Sequence, residues 1–393
     1  MREKIKSNKT IALVSNTSWS LYNFRLGLIR HLKSRGFRIV VIAPKDAFTA
    51  KLIAEGIDYK EVEIFNYGTN PLNEIKLIFH LIQLYKEIKP DLIFHYTIKP
   101  NIYGSIAARY CRIPSIIITT GLGHLFEFKN WMVRTITLFL YRIACHLSKE
   151  SWFLNSNDLD VFVYKLIVKK SKTLILKSEG IDLEWFSPGS SKKNSNKTVF
   201  LFAGRLLLDK GILHYCDAAE IIKKRHSNVE FHVLGFVDQS NPNSIAYEYL
   251  LQWQKKKLIK YLGETTDVRP YLINCDCLVF PSFYREGVSR VLMEASAMER
   301  PIITTDNVGC REVVDHGING LLIPTKNVPE LVDAIEEFVK MNKSDREIMG
   351  KAGRRKMARE FDEKIVFAVY DQAISRYLEN YEPGNKVINV NNG

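Results

Sequence analysis

The chain of 393 residues is too long for one typical hydrophobic core, which predicts two domains. Its 46% hydrophobic and 25% charged residues are those of an ordinary globular protein, so large cores are possible. The basic, polar segment Met1–Thr10 precedes a strand, and no run of 18 apolar residues occurs, so we expect neither a signal peptide nor a membrane-spanning helix.

The net charge limits the kinds of binding partner, and the cysteines indicate the compartment. The net charge is +13, and residues 1–187 carry 27 Lys and Arg against 16 Asp and Glu. A basic amino-terminal half suits nucleic acid or an anionic membrane surface, with an ordinary soluble surface as the alternative. Six cysteines are scattered without the spacing of metal ligands, which predicts buried, reduced thiols in a cytoplasmic protein.

Apolar runs and helical patterns alternate through the first half of the chain. Strand signals occur at Thr10–Ser15, Phe37–Ala43, Leu92–Phe94 and Ser115–Thr119, separated by helical patterns such as Phe24–Ser34, Asn73–Ile88 and Asn101–Tyr110. This order is typical of a doubly wound parallel sheet, whose ligands bind beyond the carboxyl ends of the strands.

Polar residues follow several of these strands, where a ligand would bind. Arg25, at the start of the first helix, is a candidate contact for an anionic acceptor, with a surface arginine as the alternative. Gly121 and Gly123 would let the backbone approach a ligand closely. His124 comes next and is a candidate ligand contact, although a loop histidine is usually just solvated.

The segment Trp131–Lys149 has a helical pattern with apolar residues on more than one side. One cluster is predicted to face the core: Met132, Ile136, Phe139, Leu140, Ile143 and Leu147. The opposite side is predicted to hold Trp131, Leu138, Tyr141, Arg134, Arg142 and Lys149. Aromatic and basic side chains on one outer face suit a membrane interface, and packing against a neighbouring helix is the alternative.

Small, polar residues over Gly189–Asn196 indicate a linker before the second half. The second half restarts with the strand Thr198–Ala203, and Arg205 and Lys210 flank the turn that follows. Two cations at the carboxyl end of a strand can hold a diphosphate, Arg through paired hydrogen bonds and Lys as a point charge.

The stretch from Leu278 to Val314 has the strand–turn–helix–strand order of a βαβ unit and carries two glutamates. Glu286 falls in the turn before the helical segment Val288–Met298. Glu294 lies about 80° further around that helix, so both carboxylates can border one pocket. The amides beyond Gly287 would present the positive end of the helix to the same space. Two hydroxyl acceptors beside an anion-binding helix end indicate a nucleotide-sugar site, and two solvated glutamates are the alternative.

At this point the sequence closely resembles the retaining glycosyltransferases of family 4, which have the GT-B fold. The matching runs are Pro281-Ser282, Arg285-Glu286-Gly287, Val291-Leu292-Met293-Glu294-Ala295, Arg300-Pro301-Ile302-Ile303-Thr304-Thr305-Asp306 and Gly309-Cys310-Arg311-Glu312-Val313-Val314. The resemblance covers nearly the whole chain, most strongly from Lys177 to Pro324. One departure is Glu299, which stands where relatives usually have a glycine that ends the helix, so we expect either a strained cap or a different helix end.

The resemblance implies an α/β protein with two Rossmann-like parallel-sheet domains facing a central cleft. Residues 1–187 would form the acceptor-side domain and residues 188–370 the nucleotide-sugar-binding domain. Residues 371–393 would be a helix that crosses back to the first domain, followed by a tail.

The resemblance also implies a role for each candidate residue. Arg205 and Lys210 would stabilise the leaving diphosphate, and Glu294 would bind the ribose hydroxyls. Glu286 would orient the sugar and His124 would hydrogen-bond it. The remaining donor contacts would come from the start of the helix: Gly287, Ser289, Arg290 and Val291. No metal or other cofactor is expected, because the two cations would manage the leaving group.

Within the family, the chain most resembles bacterial enzymes that extend undecaprenyl-diphosphate-linked sugars with N-acetylhexosamines. The implied function is transfer of a sugar from a UDP-sugar to a lipid-linked or polysaccharide-precursor acceptor, in cell-surface glycan biosynthesis. The enzyme would be cytoplasmic and peripheral on the anionic inner face of the plasma membrane, with Arg25, Arg134, Arg142 and Lys149 on the acceptor or membrane side. A nucleotide-sugar 2-epimerase of the same fold is the alternative. A basic nucleic-acid-binding protein is a weaker one, and no nucleic acid partner is expected.

Overall fold

Each half of the chain forms a parallel sheet in the computed structural model, which describes residues 9–65, 70–122, 131–189, 197–238, 241, 243–285 and 287–378. Residues 1–180 and 363–393 make one compact unit, and residues 181–362 make the other. The boundaries drawn from the sequence are residues 188 and 371. In the structure the chain passes from one unit to the other earlier, after residues 180 and 362. A parallel bridge joins Ile181 to Asp362, so the segments at both boundaries belong to the second unit.

The first unit contains a seven-stranded parallel sheet within the described residues. Its strands are β1 (Thr10–Val14), β2 (Arg38–Ala43), β3 (Asp58–Glu61), β4 (Leu92–Tyr96), β5 (Ser115–Thr119), β6 (Glu150–Phe153) and β7 (Thr173–Ile175). Their order is β3-β2-β1-β4-β5-β6-β7. Strands β1, β4 and β5 are buried at every residue, because continuous apolar runs let helices cover both faces of the sheet.

The second unit repeats this plan with a six-stranded parallel sheet among the described residues. Its strands are β8 (Thr198–Ala203), β9 (Val229–Leu234), β10 (Lys260–Tyr261), β11 (Cys277–Phe280), β12 (Ile302–Thr305) and β13 (Gly320–Ile323). Their order is β10-β9-β8-β11-β12-β13, so the direction of winding reverses between β8 and β11. Ligands of doubly wound sheets bind beyond the carboxyl ends of the strands at such a reversal.

Helices connect the strands in both units. In chain order they are α1 (Ser18–Ser34), α2 (Thr49–Ala54), α3 (Pro71–Ile88), α4 (Ser105–Tyr110), α5 (Trp131–Leu147), α6 (Ser156–Tyr164), α7 (Ile212–Arg225), α8 (Tyr247–Lys255), α9 (Arg269–Ile273), α10 (Arg290–Ala297), α11 (Val328–Lys340), α12 (Lys343–Lys356) and α13 (Glu363–Tyr377). A π-helical turn, Pro100–Gly104, precedes α4. In the part of the chain that the structure describes, no helix has both the length and the apolar character to cross a membrane.

The last helix, α13, belongs to the first unit and packs on α1. The rings of His31 and Phe367 stack 4.7 Å apart, and Nε2 of His31 lies 3.0 Å from a carboxylate oxygen of Asp371. The fully buried Tyr370 places its hydroxyl 2.9 Å from the hydroxyl of Tyr96, at the end of β4. These polar contacts within an apolar interface fix the position of α13 on the first unit.

Arg25 lies in the core of the first unit, so the alternative interpretation of a surface arginine is wrong. The residue is 2% exposed, and its guanidinium donates to the carboxylate of Glu179 and to the carbonyl oxygen of Ser20. The same guanidinium lies 3.9 Å from the centre of the Tyr96 ring. The Arg25 guanidinium, which was a candidate contact for an acceptor, is therefore bound within the protein by the Glu179 carboxylate and the Tyr96 ring.

We expect Arg25→Met to lower the free energy of unfolding of the first unit by about 3 kcal/mol, because removing one partner of a buried ion pair leaves the other charge buried. The matched control is Arg30→Met, since Arg30 pairs with Glu55 but is 60% exposed. An exposed pair should contribute less than about 1 kcal/mol. Hydrogen exchange of the β1 and β4 amides measures both values, and equal losses in the two variants would contradict the burial argument.

Candidate functional site

The turn after β8 holds Lys210 at the carboxyl edge of the second sheet. A 3-10 turn, Leu208–Lys210, ends at Gly211, whose φ is +81°. A Cβ atom at Gly211 would lie 2.1 Å from the carbonyl oxygen of Pro281, so only glycine allows this approach. The Lys210 side chain is buried, with Nζ 4.5 Å from the centre of the Tyr284 ring. The close approach at Gly211 thus places a cation beside the loop that follows β11.

Hydrogen bonds hold the loop after β11 from two sides. The carbonyl oxygen of Asp209 accepts from the amides of Phe283 (2.9 Å) and Tyr284 (3.0 Å), which ties the loop to the Lys210 turn. From the β12 side, the side-chain amide of Asn307 donates to the Tyr284 carbonyl at 2.8 Å. The segment directly before Glu286 is therefore fixed between the ends of three neighbouring strands.

Arg205 is the second residue after β8 and is half-buried. Its side chain makes no hydrogen bond or ion pair with any residue that the structure describes. Since Lys210 follows on the same turn, two cationic side chains come from the carboxyl end of one central strand. This is the placement that the sequence predicts for a diphosphate contact.

Helix α10 begins beside this loop with an open first turn. Its N-cap residue, Ser289, is buried and makes no side-chain hydrogen bond to the first-turn amides. The Ser289 amide donates to the Gly309 carbonyl at 2.9 Å, which fixes the entry to the helix. Gly287 is also buried, and Val291 packs on the core of the unit. An uncapped helix amino end of this kind can bind a phosphate through its amides and its dipole.

Glu294 forms an ion pair with Arg290, one turn earlier on α10. The Nε atom of Arg290 lies 3.0 Å from Oε1 of Glu294, whose side chain is only 16% exposed. Burial raises the pKa of Glu294, the Arg290 guanidinium lowers it, and the Asp267 carboxylate raises it, with a net shift upward. Arg290 was expected to contact the donor, and in this structure its guanidinium pairs with the Glu294 carboxylate.

The end of α10 is strained, which is one of the two outcomes that its sequence predicts. The helix ends at Ala297, and Glu299 has a φ of +58°, in the left-handed region that favours glycine. The residue remains there because the backbone of Gly350, on α12, packs against its carbonyl group. The strain lies at the far end of the helix from the candidate phosphate site.

Three interacting side chains near Glu294 were missed by the sequence analysis. The Arg269 guanidinium donates to both carboxylate oxygens of Asp267, at 2.8 and 2.7 Å, and these bonds hold the pKa of Asp267 below its usual range. The same guanidinium lies 3.4 Å from the centre of the Trp185 ring, which is 55% exposed. A fixed, exposed aromatic ring can stack on a planar base. The sequence signal is only Asp267-x-Arg269, because Trp185 lies 84 residues away.

Two predicted residues, Glu286 and His124, lie outside the described residues, as does Gly123. Their assigned roles stay predictions.

Helix α5 buries a different face from the predicted one. The core face consists of Tyr141, Ala144 and Cys145, and Tyr141 had been assigned to the outside. Three residues that had been assigned to the core are instead exposed: Met132 (52%), Ile136 (58%) and Phe139 (61%). The predicted core face is wrong because the helix is apolar on both sides, so its periodicity alone does not show which side is buried. Arg134, Arg142 and Lys149 are exposed, as predicted.

Within the described ranges, no group of three or more His, Cys, Asp or Glu side chains could hold a metal ion. The six cysteines are free thiols, and all but the half-buried Cys111 are buried.

Two family profiles match most of the sequence. The family described as "Glycosyl transferase 4-like" matches residues 10–157, and the family described as "Glycosyl transferases group 1" matches residues 184–356. The second match includes every described residue of the candidate donor site, from Trp185 to Glu294.

Curated relatives extend the match over nearly the full chain. The N,N'-diacetylbacillosaminyl-diphospho-undecaprenol alpha-1,3-N-acetylgalactosaminyltransferase of Campylobacter jejuni is 29% identical, covering 94% of this chain and 99% of that protein. The UDP-Gal:alpha-D-GlcNAc-diphosphoundecaprenol alpha-1,3-galactosyltransferase of Escherichia coli is 26% identical, covering 67% of this chain and 70% of that protein.

Solved structures share the fold at low sequence identity. A glycosyltransferase from Rickettsia africae ESF-5 is 16% identical with a TM-score of 0.76, covering 95% of this chain and 100% of its own. Anabaena HepE, solved in complex with UDP, is 19% identical with a TM-score of 0.74, covering 93% of this chain and 100% of its own. The predicted pair of Rossmann-like domains, of the GT-B type, is confirmed.

Proposed function

Because the chain belongs to the glycosyltransferases, with a 4-like domain followed by a group 1 domain, we propose that it moves an N-acetylhexosamine from a UDP-sugar to an undecaprenyl-diphosphate-linked acceptor. The acceptor class is that of the Campylobacter jejuni and Escherichia coli relatives, whose names both specify a diphosphate-linked undecaprenol. The N-acetylhexosamine is taken from the first of these relatives and the UDP donor from the second.

The polar carboxyl edge of the second sheet is the observation that carries this proposal. Lys210 and Arg205 follow β8 at this edge, and we assign them to the leaving diphosphate of the nucleotide sugar. The open amino end of α10 lies on the connection from β11 to β12. Cations and amides placed where negative charge develops stabilise a leaving group without reorganising during the reaction. Glu294, held by Arg290, would accept hydrogen bonds from the ribose, and Trp185 would stack on the base.

We extend the proposal to a retaining reaction that needs no metal. Glu286 would orient the sugar at its anomeric carbon, and His124 would hydrogen-bond the sugar. The leaving phosphate would accept the proton of the acceptor hydroxyl, so no separate base is assigned. This assignment is supported by the two cationic side chains that follow β8, which can neutralise a diphosphate in place of a divalent ion.

The test is a transfer assay with purified protein, a panel of UDP-sugars and a polyprenyl-diphosphate-linked sugar. Mass spectrometry should show the acceptor heavier by one N-acetylhexosamine, and NMR of the product should show the anomeric configuration of the donor. Turnover should persist in EDTA. Release of an epimerised nucleotide sugar without a heavier acceptor would favour the epimerase and reject the proposal.

We also propose that the protein binds peripherally to the cytoplasmic face of the plasma membrane, where a lipid-linked acceptor resides. Residues 1–187 carry most of the net positive charge, and α5 exposes Met132, Ile136 and Phe139 as well as basic side chains. A helix that exposes both apolar and basic side chains suits the interfacial region of an anionic bilayer.

Changing Arg134, Arg142 and Lys149 to Glu should weaken binding to phosphatidylglycerol vesicles at least tenfold at low salt, because each basic residue near the surface contributes about 1 kcal/mol. The control with the same change of charge replaces the exposed Lys255, Lys256 and Lys343 by Glu in the second unit. Vesicle sedimentation measures both. If the two triple variants lose binding equally, net charge and not α5 determines the attachment.

A further inference from the structure

Helix α3 has an apolar face on each side. Its inner face packs Leu77 and Leu81 into the core of the first unit. Its outer face exposes Leu72 by 67%, Ile75 by 49% and Phe79 by 64%. Steps of three and four residues place these three side chains in one stripe along the helix. Such a stripe is unusual on a solvated helix, whose outer face is normally polar.

The exposed lysines of this outer face form no ion pair with a described residue. Lys76 and Lys86 are exposed on the same side of the helix. Of the acidic residues of α3, Glu74 is buried in an ion pair with Lys99, and Glu87 is paired with a lysine of β3 at the edge of the stripe. The exposed Glu63 lines a pocket with Lys76. The outer face of α3 therefore presents apolar side chains between two lysines that form no ion pair with a described residue, which suits an anionic surface.

Helices α3 and α5 belong to one layer of the first unit. Both pack against α4 and against the π-helical turn Pro100–Gly104, so α4 lies between them. At the end of α4, Tyr110 is 65% exposed, and Nζ of Lys86 lies 5.3 Å from the centre of its ring. The exposed apolar side chains of the two outer helices thus lie on the same side of the sheet, with an amphipathic aromatic residue between them.

We propose that α3 is a second membrane-docking helix, which acts together with α5. Leu72, Ile75 and Phe79 enter the interface of an anionic bilayer, while Lys76 and Lys86 stay among the headgroups. This inference rests on the proposed peripheral binding and adds to it a second line of contact. Contact through two helices of the same layer fixes the orientation of the first unit on the membrane surface. Contact through a single helix would leave the unit free to rotate about that helix. A second copy of this chain on the same face would bring like charges together, which disfavours a dimer here.

The experiment uses the full chain and vesicles of equal parts phosphatidylglycerol and phosphatidylcholine. The variant Leu72→Gln, Ile75→Gln, Phe79→Gln removes the stripe but keeps good helix formers. The matched control makes the same change at three exposed apolar residues on other helices: Ile53, Leu251 and Ile348. We expect the stripe variant to bind at least tenfold more weakly than the wild type, the control to bind within twofold of it, and both to melt at the wild-type temperature.

Transfer to a short-chain, water-soluble acceptor separates this inference from the proposed function. The stripe variant should keep wild-type turnover with that acceptor and lose turnover with the vesicle-bound acceptor. Wild-type vesicle binding by the stripe variant overturns the role of α3, whatever α5 does. Loss of a wild-type dimer in ultracentrifugation, with unchanged vesicle binding, also overturns it and identifies a second copy as the occupant. Failure of the wild type to use the soluble acceptor would instead count against the proposed transfer reaction.

Discussion

Lys210→Ala and Arg205→Ala should each lower turnover by on the order of 100-fold or more, the loss typical of removing one group that stabilises charge in the transition state. Lys210 is buried against Tyr284, and a cation in a partly desolvated position acts more strongly on a leaving diphosphate than one in water. Arg205 has no protein partner among the described residues, so its loss should not unpair another charge. Single-turnover kinetics with saturating donor measure the effect on chemistry.

Two further variants make the test of Lys210 specific. Lys210→Met keeps an apolar stem of similar length against Tyr284 and removes the charge, so it should lose as much turnover as the alanine variant. The control Lys224→Ala removes an exposed cation from α7, the helix that follows the same turn, and should be neutral. Near-normal turnover in both Arg205→Ala and Lys210→Met would remove the diphosphate assignment.

The central strands could be predicted because their sequences carry a strong signal. Strands β5 and β8 have the predicted bounds, Ser115–Thr119 and Thr198–Ala203. Both are buried at every residue, and a strand covered on both faces is a continuous apolar run bounded by polar turns. The turn after β8 was identified for the same reason, since the change from Phe-Ala to Gly-Arg marks the end of the strand.

Features that depend on distant partners could not be predicted. Arg25 is buried because Glu179 neutralises it, and the two residues are 154 positions apart. The stacking of Arg269 on Trp185 could not be predicted for the same reason, because the two residues are 84 positions apart. The buried face of helix α5 was predicted wrongly for another reason. Periodicity locates an apolar face, but when a helix has two such faces, the packing of the rest of the domain decides which one is buried.

The second large effect concerns Glu286 and Glu294, whose positions imply different tasks. Glu294 lies inside α10, where a fixed carboxylate can bind ribose hydroxyls equally in the ground state and the transition state. Glu294→Gln should therefore weaken donor affinity more than it slows chemistry. Glu286 precedes the helix, near the expected anomeric carbon, so Glu286→Gln should chiefly lower kcat. Equal losses of affinity with unchanged single-turnover rates in both would show that Glu286 is misassigned.

The ion pair with Arg290 adds a pH dependence to this prediction. Burial raises the pKa of Glu294 and the Arg290 guanidinium opposes that rise, so Arg290→Gln should raise the pKa further. A protonated carboxyl accepts ribose hydrogen bonds poorly, and donor affinity should fall as the pH drops through this pKa. The fall should begin at a higher pH in Arg290→Gln than in the wild type, and it should be absent in Glu294→Gln. Donor titration by calorimetry at several pH values measures this directly. If the affinity of Arg290→Gln is lower by one constant factor at every pH, Arg290 contacts the donor itself and does not act through Glu294.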